Sequence, residues 1–193
     1  MKFPKIDIHD KEVVFDGWAN VTNYDVTYTS ENLTARFNRT IFDSGNGAAI
    51  LLVNYQTEKI LLVSQLRYGI YFNTPEEAIS TEVVAGIVDN DDPKATIIKE
   101  VLEEAGIQIS QPQFIQTVYT SPGAHSEKLH LFFSEYTSKD RIEEGGGLDD
   151  EHEDIEVKEY TFDEVIEKYK SGYFQDAKTV LLIQWWIINK SRI

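Results

Sequence analysis

The chain has 193 residues, carries 18 basic against 33 acidic side chains for a net charge of −15, and contains no cysteine. That length suits one substantial domain, or one domain with a small flanking unit. Without a thiol there are no disulfides, thiolate metal sites or cysteine nucleophile, and the charge excludes nucleic acid as a partner because no basic stripe offsets it.

Two further expectations follow. The start of the chain, Met1-Lys2-Phe3-Pro4-Lys5-Ile6-Asp7, lacks the apolar core of a signal peptide. No apolar run approaches the roughly 20 residues of a membrane span; the longest, Val180 to Ile188, is interrupted by Gln184. A soluble protein of the reducing cytoplasm, with no membrane partner, is expected. An acidic chain acting on an anionic phosphate would need divalent cations to bring the two together.

Val13–Phe15, Asn23–Thr29 and Ala35–Phe42 read as strands, rich in Val, Thr, Tyr and Phe between polar breaks. Gly45-Asn46-Gly47 is a turn into the apolar strand Ala48–Val53, which forms a hairpin with Ile60–Gln65. Glu82–Ala85, Phe114–Thr120 and Lys128–Tyr136 are later strands. A helix spans Pro93–Ala105, with Asp92 as N-cap, Pro93 at its first position and Gly106 as its stop. A second starts at Thr161, where Thr161 and Glu164 match a capping box, and ends near Gly172. A third runs from Asp176 as N-cap to about Lys190. Ser138 to Glu156 is a long connection with three consecutive glycines and a dense run of acids.

On the helix Pro93–Ala105, Ile98, Val101, Leu102 and Ala105 recur at i, i+3, i+4 and i+7 as one apolar stripe. Glu100, Glu103 and Glu104 gather opposite it within about 100° of arc. Two of these acids stand in the last turn, where the macrodipole disfavours anions by roughly 0.3–1 kcal/mol each. The pair Glu100/Glu104 adds like-charge repulsion of a few tenths of a kcal/mol, and no cation is expected on that face. Two readings stand at this point: a solvated acidic face, or a carboxylate set that collects a hard cation such as Mg²⁺.

The stretch Gly86-Ile87-Val88-Asp89-Asn90-Asp91-Asp92-Pro93-Lys94-Ala95-Thr96-Ile97-Ile98-Lys99-Glu100-Val101-Leu102-Glu103-Glu104-Ala105-Gly106-Ile107 strongly resembles the Nudix box, a loop–helix–loop metal site. It departs from the common pattern in being one residue shorter before Glu100, in having Asp92 near the place of a loop Glu, and in having Lys99 where Arg is usual. Both replacements resemble the bacterial GDP-mannose pyrophosphatase branch of the ADP-ribose/nucleotide-sugar pyrophosphatases. So do Tyr119-Thr120-Ser121-Pro122-Gly123, the Gly-rich acidic segment Gly145–Glu156 with two extra residues, and Lys178-Thr179-Val180-Leu181-Leu182.

The resemblance implies an α+β Nudix fold: an α/β/α sandwich with a mixed sheet over residues 45–193. An N-terminal antiparallel β unit over residues 1–44 would serve dimerisation and substrate binding. It implies Mg²⁺, or Mn²⁺ in its place, held by the Ala85 carbonyl, Glu100, Glu103, Glu104 and Glu151. The catalytic residues would be Glu103 and a base from the acidic loop. Glu151 and Glu153 both align with that base, and the longer match favours Glu153; His152 reads as a solvated loop histidine. Substrate contacts would come from Trp18, Arg39, Arg67, Glu82, Glu127, Asp150 and Lys178. From the residues alone, Arg67 reads equally as a surface charge at a strand end, and Trp18 equally as a core side chain. The triple glycine would supply hinges.

The implied function is hydrolysis of GDP-mannose to GMP and mannose 1-phosphate by a homodimer. ADP-ribose pyrophosphatase and a non-catalytic nucleotide-binding Nudix module are the alternatives; intact Glu100, Glu103 and Glu104 argue against the module. A Ca²⁺ loop is disfavoured, because Asp149 to Glu156 lacks the spaced ligands of an EF-hand.

Overall fold

The computed structural model describes residues 3–88, 92–148 and 154–190. The chain divides into two compact units. One takes the chain up to Asn46 together with Tyr119–Lys128; the other takes Gly47–Val118 and the chain from Leu129 onward.

In the first unit, β1 (Lys5–Asp16), β2 (Asn20–Thr29) and β3 (Thr34–Asp43) form an antiparallel sheet in the order β1-β2-β3. β1 starts at Lys5, well before the expected Val13. Its first half is Lys5-Ile6-Asp7-Ile8-His9-Asp10-Lys11, whose charges lower strand propensity. Register shifts at Ile8/Asp10 and Val13/Phe15 then break the alternation that would have marked the rest. Few apolar side chains of this unit are buried, chiefly Ala19 and Val26, while Ile6, Ile8, Val13, Val14 and Phe15 are exposed. The segment Tyr119–Lys128 is fastened to β3 by Phe42 N–H donating to the Ala124 carbonyl at 2.8 Å and Ser126 N–H donating to the Phe42 carbonyl at 3.0 Å.

The second unit is built on β4 (Asn46–Asn54), β5 (Lys59–Leu66), β6 (Ile79–Glu82), β7 (Val84–Val88), β8 (Gln113–Tyr119), β9 (Lys128–Glu135) and β10 (Glu156–Thr161). The sheet order is β10-β5-β4-β9-β8, with β6 beside β5 and β7 beside β4. It is mixed, as expected: β4 runs antiparallel to β5 and parallel to β9. β4 lies mid-sheet and is buried on both faces, which is why it reads as an unbroken apolar run. Ala48, Ile50 and Leu52 pack with the helix α2 (Pro93–Ala105). Ala49, Leu51 and Val53 pack on the other face with α3 (Phe162–Lys170) and α4 (Ala177–Asn189). Two cores, one on each face, make the α/β/α sandwich. Each fully buried Leu or Ile contributes about 1.5–3 kcal/mol to it.

Local signals set the element ends. The β4–β5 hairpin closes on Asn54, whose side-chain oxygen accepts from the amides of Gln56 and Thr57 at 3.0 and 3.2 Å. Thr161 and Glu164 form the expected reciprocal capping box. Asp176 caps α4 by accepting from Thr179 N–H at 2.9 Å. Gly106 ends α2 at φ 67°, a conformation that costs most other residues about 1–2 kcal/mol. Asp92 holds the N-cap position of α2 in extended backbone, but its side chain makes no capping bond there.

Besides β1, three elements differ from expectation. The strand expected over Glu82–Ala85 is interrupted at Val83, whose N–H donates to Thr179 Oγ1 at 2.9 Å instead of joining a ladder. α1 (Tyr68–Tyr71) is a single turn, too short for helical periodicity to register. β10 covers Glu156–Thr161, where charged residues hide the alternation and pairing with β5 decides the structure.

Candidate active site

α2 packs on β7, and the orientation of that helix sets the environment of each of its acids. The buried side chains are Thr96, Ile97, Val101, Glu104 and Ala105, with Ile98 and Leu102 only half-buried. The apolar stripe is therefore centred on Ile97 and Val101 rather than on Ile98 and Leu102. Glu104 stands at i+7 from Ile97, on the same face, and is 2 % exposed. The expectation that all three acids oppose the buried face is thus corrected for Glu104. A second correction concerns Glu103. Lys99 Nζ lies 2.8 Å from its carboxylate as an i, i+4 pair, so a cation does lie on that face. The pair has the weaker orientation, with Lys N-terminal to Glu, and is worth a few tenths of a kcal/mol.

Glu100 is half-buried and seated against the backbone of β7. A Cβ built on Gly86 would come within 2.2 Å of the Glu100 carboxyl carbon and of its Oε1. Gly86 is therefore a clearance for the carboxylate, which sits beside the residue that follows Ala85. Among the described residues, no three His, Asp or Glu side chains group in a way that would hold a metal ion.

The Gly-rich segment is fastened to the end of α2. Gly146 N–H donates to the Glu104 carbonyl at 2.8 Å and Gly147 N–H to the Glu103 carbonyl at 3.1 Å, so carbonyls left over by the last turn are satisfied. Gly145, Gly146 and Gly147 have φ of 77°, 117° and 82°. A Cβ on Gly145 would lie 2.5 Å from the Glu104 carbonyl oxygen. These glycines serve close approach and left-handed backbone here. Asp150, Glu151, His152 and Glu153 lie outside the described residues.

A second charged group lies where β5, β6 and α4 converge. Arg67 donates from Nε to Glu82 Oε1 at 3.0 Å and from Nη2 to Oε2 at 2.6 Å, a bidentate fork. Lys178 Nζ donates to the same Oε2 at 2.6 Å and lies 3.0 Å from Asp176 Oδ1. Glu82 is 2 % exposed. Burial alone would raise its pKa, but the Arg67 hydrogen bond and the Lys178 and Arg67 charges outweigh it and hold the carboxyl at about 2. Burial likewise works against the charge on Arg67, and Glu82 more than offsets it, with Glu104 and Asp176 adding to the field.

The remaining candidates stand in the first unit. Trp18 is 77 % exposed, which removes the core reading, and its ring meets Phe42 edge-on at 5.6 Å. Phe42 in turn lies 5.0 Å from the His125 ring. Glu127 accepts from Thr120 Oγ1 at 2.7 Å and lies 3.6 Å from His125 Nδ1, while His125 Nε2 is 2.9 Å from Ser44 Oγ. Arg39 is exposed on β3, its guanidinium 4.0 Å above the Phe37 ring.

Comparison with known proteins assigns the family. The NUDIX domain profile matches residues 44–182. The chain belongs to the Nudix family. It is 41 % identical to the GDP-mannose pyrophosphatase of Cronobacter sakazakii over 165 residues, covering 86 % of this chain and 84 % of that one. It is 38 % identical to the GDP-mannose pyrophosphatase of Salmonella arizonae over 180 residues, covering 92 % of each. A crystal structure of an ADP compounds hydrolase superposes with a TM-score of 0.73 over the full length of both chains at 17 % identity, a likeness of fold.

In both units, the surroundings of the expected residues hold several that the sequence reading did not single out. Thr179 ties α4 to Val83, and Asp176, expected only as a cap, also contacts Lys178. Their signal was present in the spacing Asp176-x-Lys178-Thr179, in which the cap fixes the first turn that carries the lysine. His125 had no such signal; it is defined by Ser44, Glu127 and Phe42, of which only Glu127 is near in sequence.

Proposed function

We propose that this Nudix enzyme is a Mg²⁺-dependent pyrophosphohydrolase that cleaves GDP-mannose with water into GMP and mannose 1-phosphate. The observation that carries the reaction class is the Glu100 carboxylate seated in the clearance left by Gly86, one turn from the buried Glu104 on the same helix. The substrate rests on the two relatives named above, whose likeness extends over 84–92 % of their own lengths.

The donors suit a hard cation, since they are all oxygens and Gly86 keeps the space beside Glu100 free of a side chain. Glu100, Glu104 and the Ala85 carbonyl would hold Mg²⁺ (or Mn²⁺), with Glu103 and Glu151 completing the set. Bound there, the ion would neutralise charge on the pyrophosphate oxygens and lower the pKa of water. Lys99 restrains Glu103 through its ion pair. Arg67 and Lys178 would bind phosphate oxygens, and Asp150 and Glu127 would contact the substrate. Glu153 would take the proton of the attacking water, with Glu151 as the alternative base. The glycine segment fastened to α2 fixes where the acidic loop begins.

The exposed Trp18 offers a ring for stacking on the base, and Arg39 a guanidinium for phosphate. Residues 1–44 would serve as the dimerisation and substrate unit and residues 45–193 as the hydrolase domain. Apolar side chains left exposed on β1 support a homodimer. The cysteine-free sequence supports a cytoplasmic location, and no helix among the described residues is long and apolar enough to cross a membrane.

A panel of nucleoside diphosphate sugars with Mg²⁺ tests the proposal. GDP-mannose should give the highest kcat/KM, with GMP and mannose 1-phosphate as products. Preference for ADP-ribose would move the chain to the alternative pyrophosphatase, and binding without turnover of any member would make it a nucleotide-binding module.

A further inference from the structure

Glu82 is an unusual residue to find among substrate contacts, because most of its hydrogen-bonding capacity is already engaged by the chain. One oxygen accepts from Arg67 Nε at 3.0 Å, and the other accepts from both Arg67 Nη2 and Lys178 Nζ at 2.6 Å. The carboxylate is 2 % exposed, whereas the Arg67 side chain keeps 40 % of its surface open and Lys178 13 %. Arg67 is therefore gripped at Nε and one terminal nitrogen, which leaves Nη1 outside the fork.

The anchors of this group are tied down by hydrogen bonds. Arg67 N–H donates to the Ala78 carbonyl at 2.9 Å, and the Arg67 carbonyl accepts from Ile70 and Tyr71 at the start of α1. Lys178 sits in the first turn of α4, fixed by the Asp176 cap and by Thr179 holding Val83 N–H, one residue from Glu82. Two like charges converge from elements that are 111 residues apart in sequence (178 − 67). Without an anion between them they would repel, and each long side chain would keep its rotamer freedom.

We infer that Glu82 is a positioning residue, which clamps Arg67 and Lys178 into one preorganised pair of cations for the pyrophosphate and does not itself touch the substrate. The inference deepens the proposed function and rests on its assignment of Arg67 and Lys178 to phosphate. A preorganised pair lowers the cost of ordering two flexible cations at the moment of binding. Its loss should fall on binding more than on the chemical step.

Kinetics of Glu82→Gln, Arg67→Lys and the double variant on the nucleoside diphosphate sugar test this. Arg67→Lys keeps the charge and removes the fork. Each single change should raise KM about ten-fold while kcat stays within about three-fold, and the double variant should be no worse than the poorer single one. Melting temperatures confirm that each variant is folded. KM increases that multiply to about a hundred-fold would show independent contacts and overturn the inference. So would an unchanged KM in Glu82→Gln, or a loss confined to kcat. Calorimetric binding of inorganic pyrophosphate is measured on the same four proteins. If no nucleoside diphosphate sugar is hydrolysed, the proposed function fails, and non-additive weakening of pyrophosphate binding still upholds the clamp. Additive weakening, or none, overturns it.

Discussion

Glu82 and Glu104 are equally hidden, each 2 % exposed, but they stand in different parts of the fold. Glu82 is met at hydrogen-bond distance by two cations of the chain itself, and its carboxyl is held far below the ordinary range. Glu104 stands in the last turn of α2, where the helix dipole opposes an anion by about 0.3–1 kcal/mol. One turn earlier on the same helix, Glu100 lies against a strand cleared of side-chain atoms by Gly86. Burial of a carboxylate therefore says little about function by itself; the groups around it decide. Glu82 belongs to the framework that orients cations; Glu100 and Glu104 are the carboxylates proposed to hold an external one.

The most disruptive way to probe the α2 side is through the acidic loop attached to it. Glu153→Gln should lower kcat by roughly 10²–10⁴-fold with little change in KM, as for loss of a general base, while Glu151→Gln should act more mildly through charge and metal binding. Steady-state kinetics at saturating Mg²⁺ measure both. A large loss only in Glu151→Gln would move the base, and mild effects in both would remove it from this loop.

Gly86→Ala is a subtler perturbation. The backbone of Gly86 is not in the left-handed region, and the atoms nearest its added Cβ belong to the Glu100 side chain rather than to backbone. The fold should survive, with a melting temperature within a few degrees of the parent. Displacement of Glu100 should raise the Mg²⁺ concentration for half-maximal activity by about ten-fold or more, since a site loosened by about 1.4 kcal/mol loses that factor. An unchanged Mg²⁺ requirement would separate Glu100 from the metal.

Acid should act on the other side of the comparison. The Glu82 carboxyl titrates near 2 in the folded chain against 4.5 for the ordinary group. Its contribution is thus complete above about pH 4.5 and is lost as pH falls towards 2, amounting to about 3 kcal/mol. Urea unfolding of the parent and of Glu82→Gln between pH 5 and 2 should show the parent losing about that much more. Parallel losses would mean that Glu82 is not held down.

The helix proposed to carry this chemistry was legible in the sequence because its start and stop are local: Pro93 at the first position, Gly106 at the end. The central strands were legible because burial on both faces leaves an apolar run such as Ala48–Val53. What escaped was decided at a distance. A helical wheel assigns a glutamate to solvent, and only packing on β7 turns Glu104 inward. The partners of Glu82 come from residues 67 and 178, and nothing local to any of the three announces the others. β1 escaped because its charges and register shifts mask its period. The resemblance to the Nudix box gave the roles proposed for Glu100 and Glu104, while the structure added what the pattern cannot carry: the clearance at Gly86 and the Lys99–Glu103 pair.

Glu104→Gln, assayed on GDP-mannose at saturating Mg²⁺ beside its melting curve, tests the central claim most directly. The substitution keeps shape and removes one charge of the i, i+4 pair Glu100/Glu104, so the apo protein should be about as stable as the parent. Hydrolysis should fall by at least 10²-fold, because a carboxylate that holds the ion has no neutral substitute. Near-parental turnover in a folded Glu104→Gln protein would contradict the assignment of the metal site to α2.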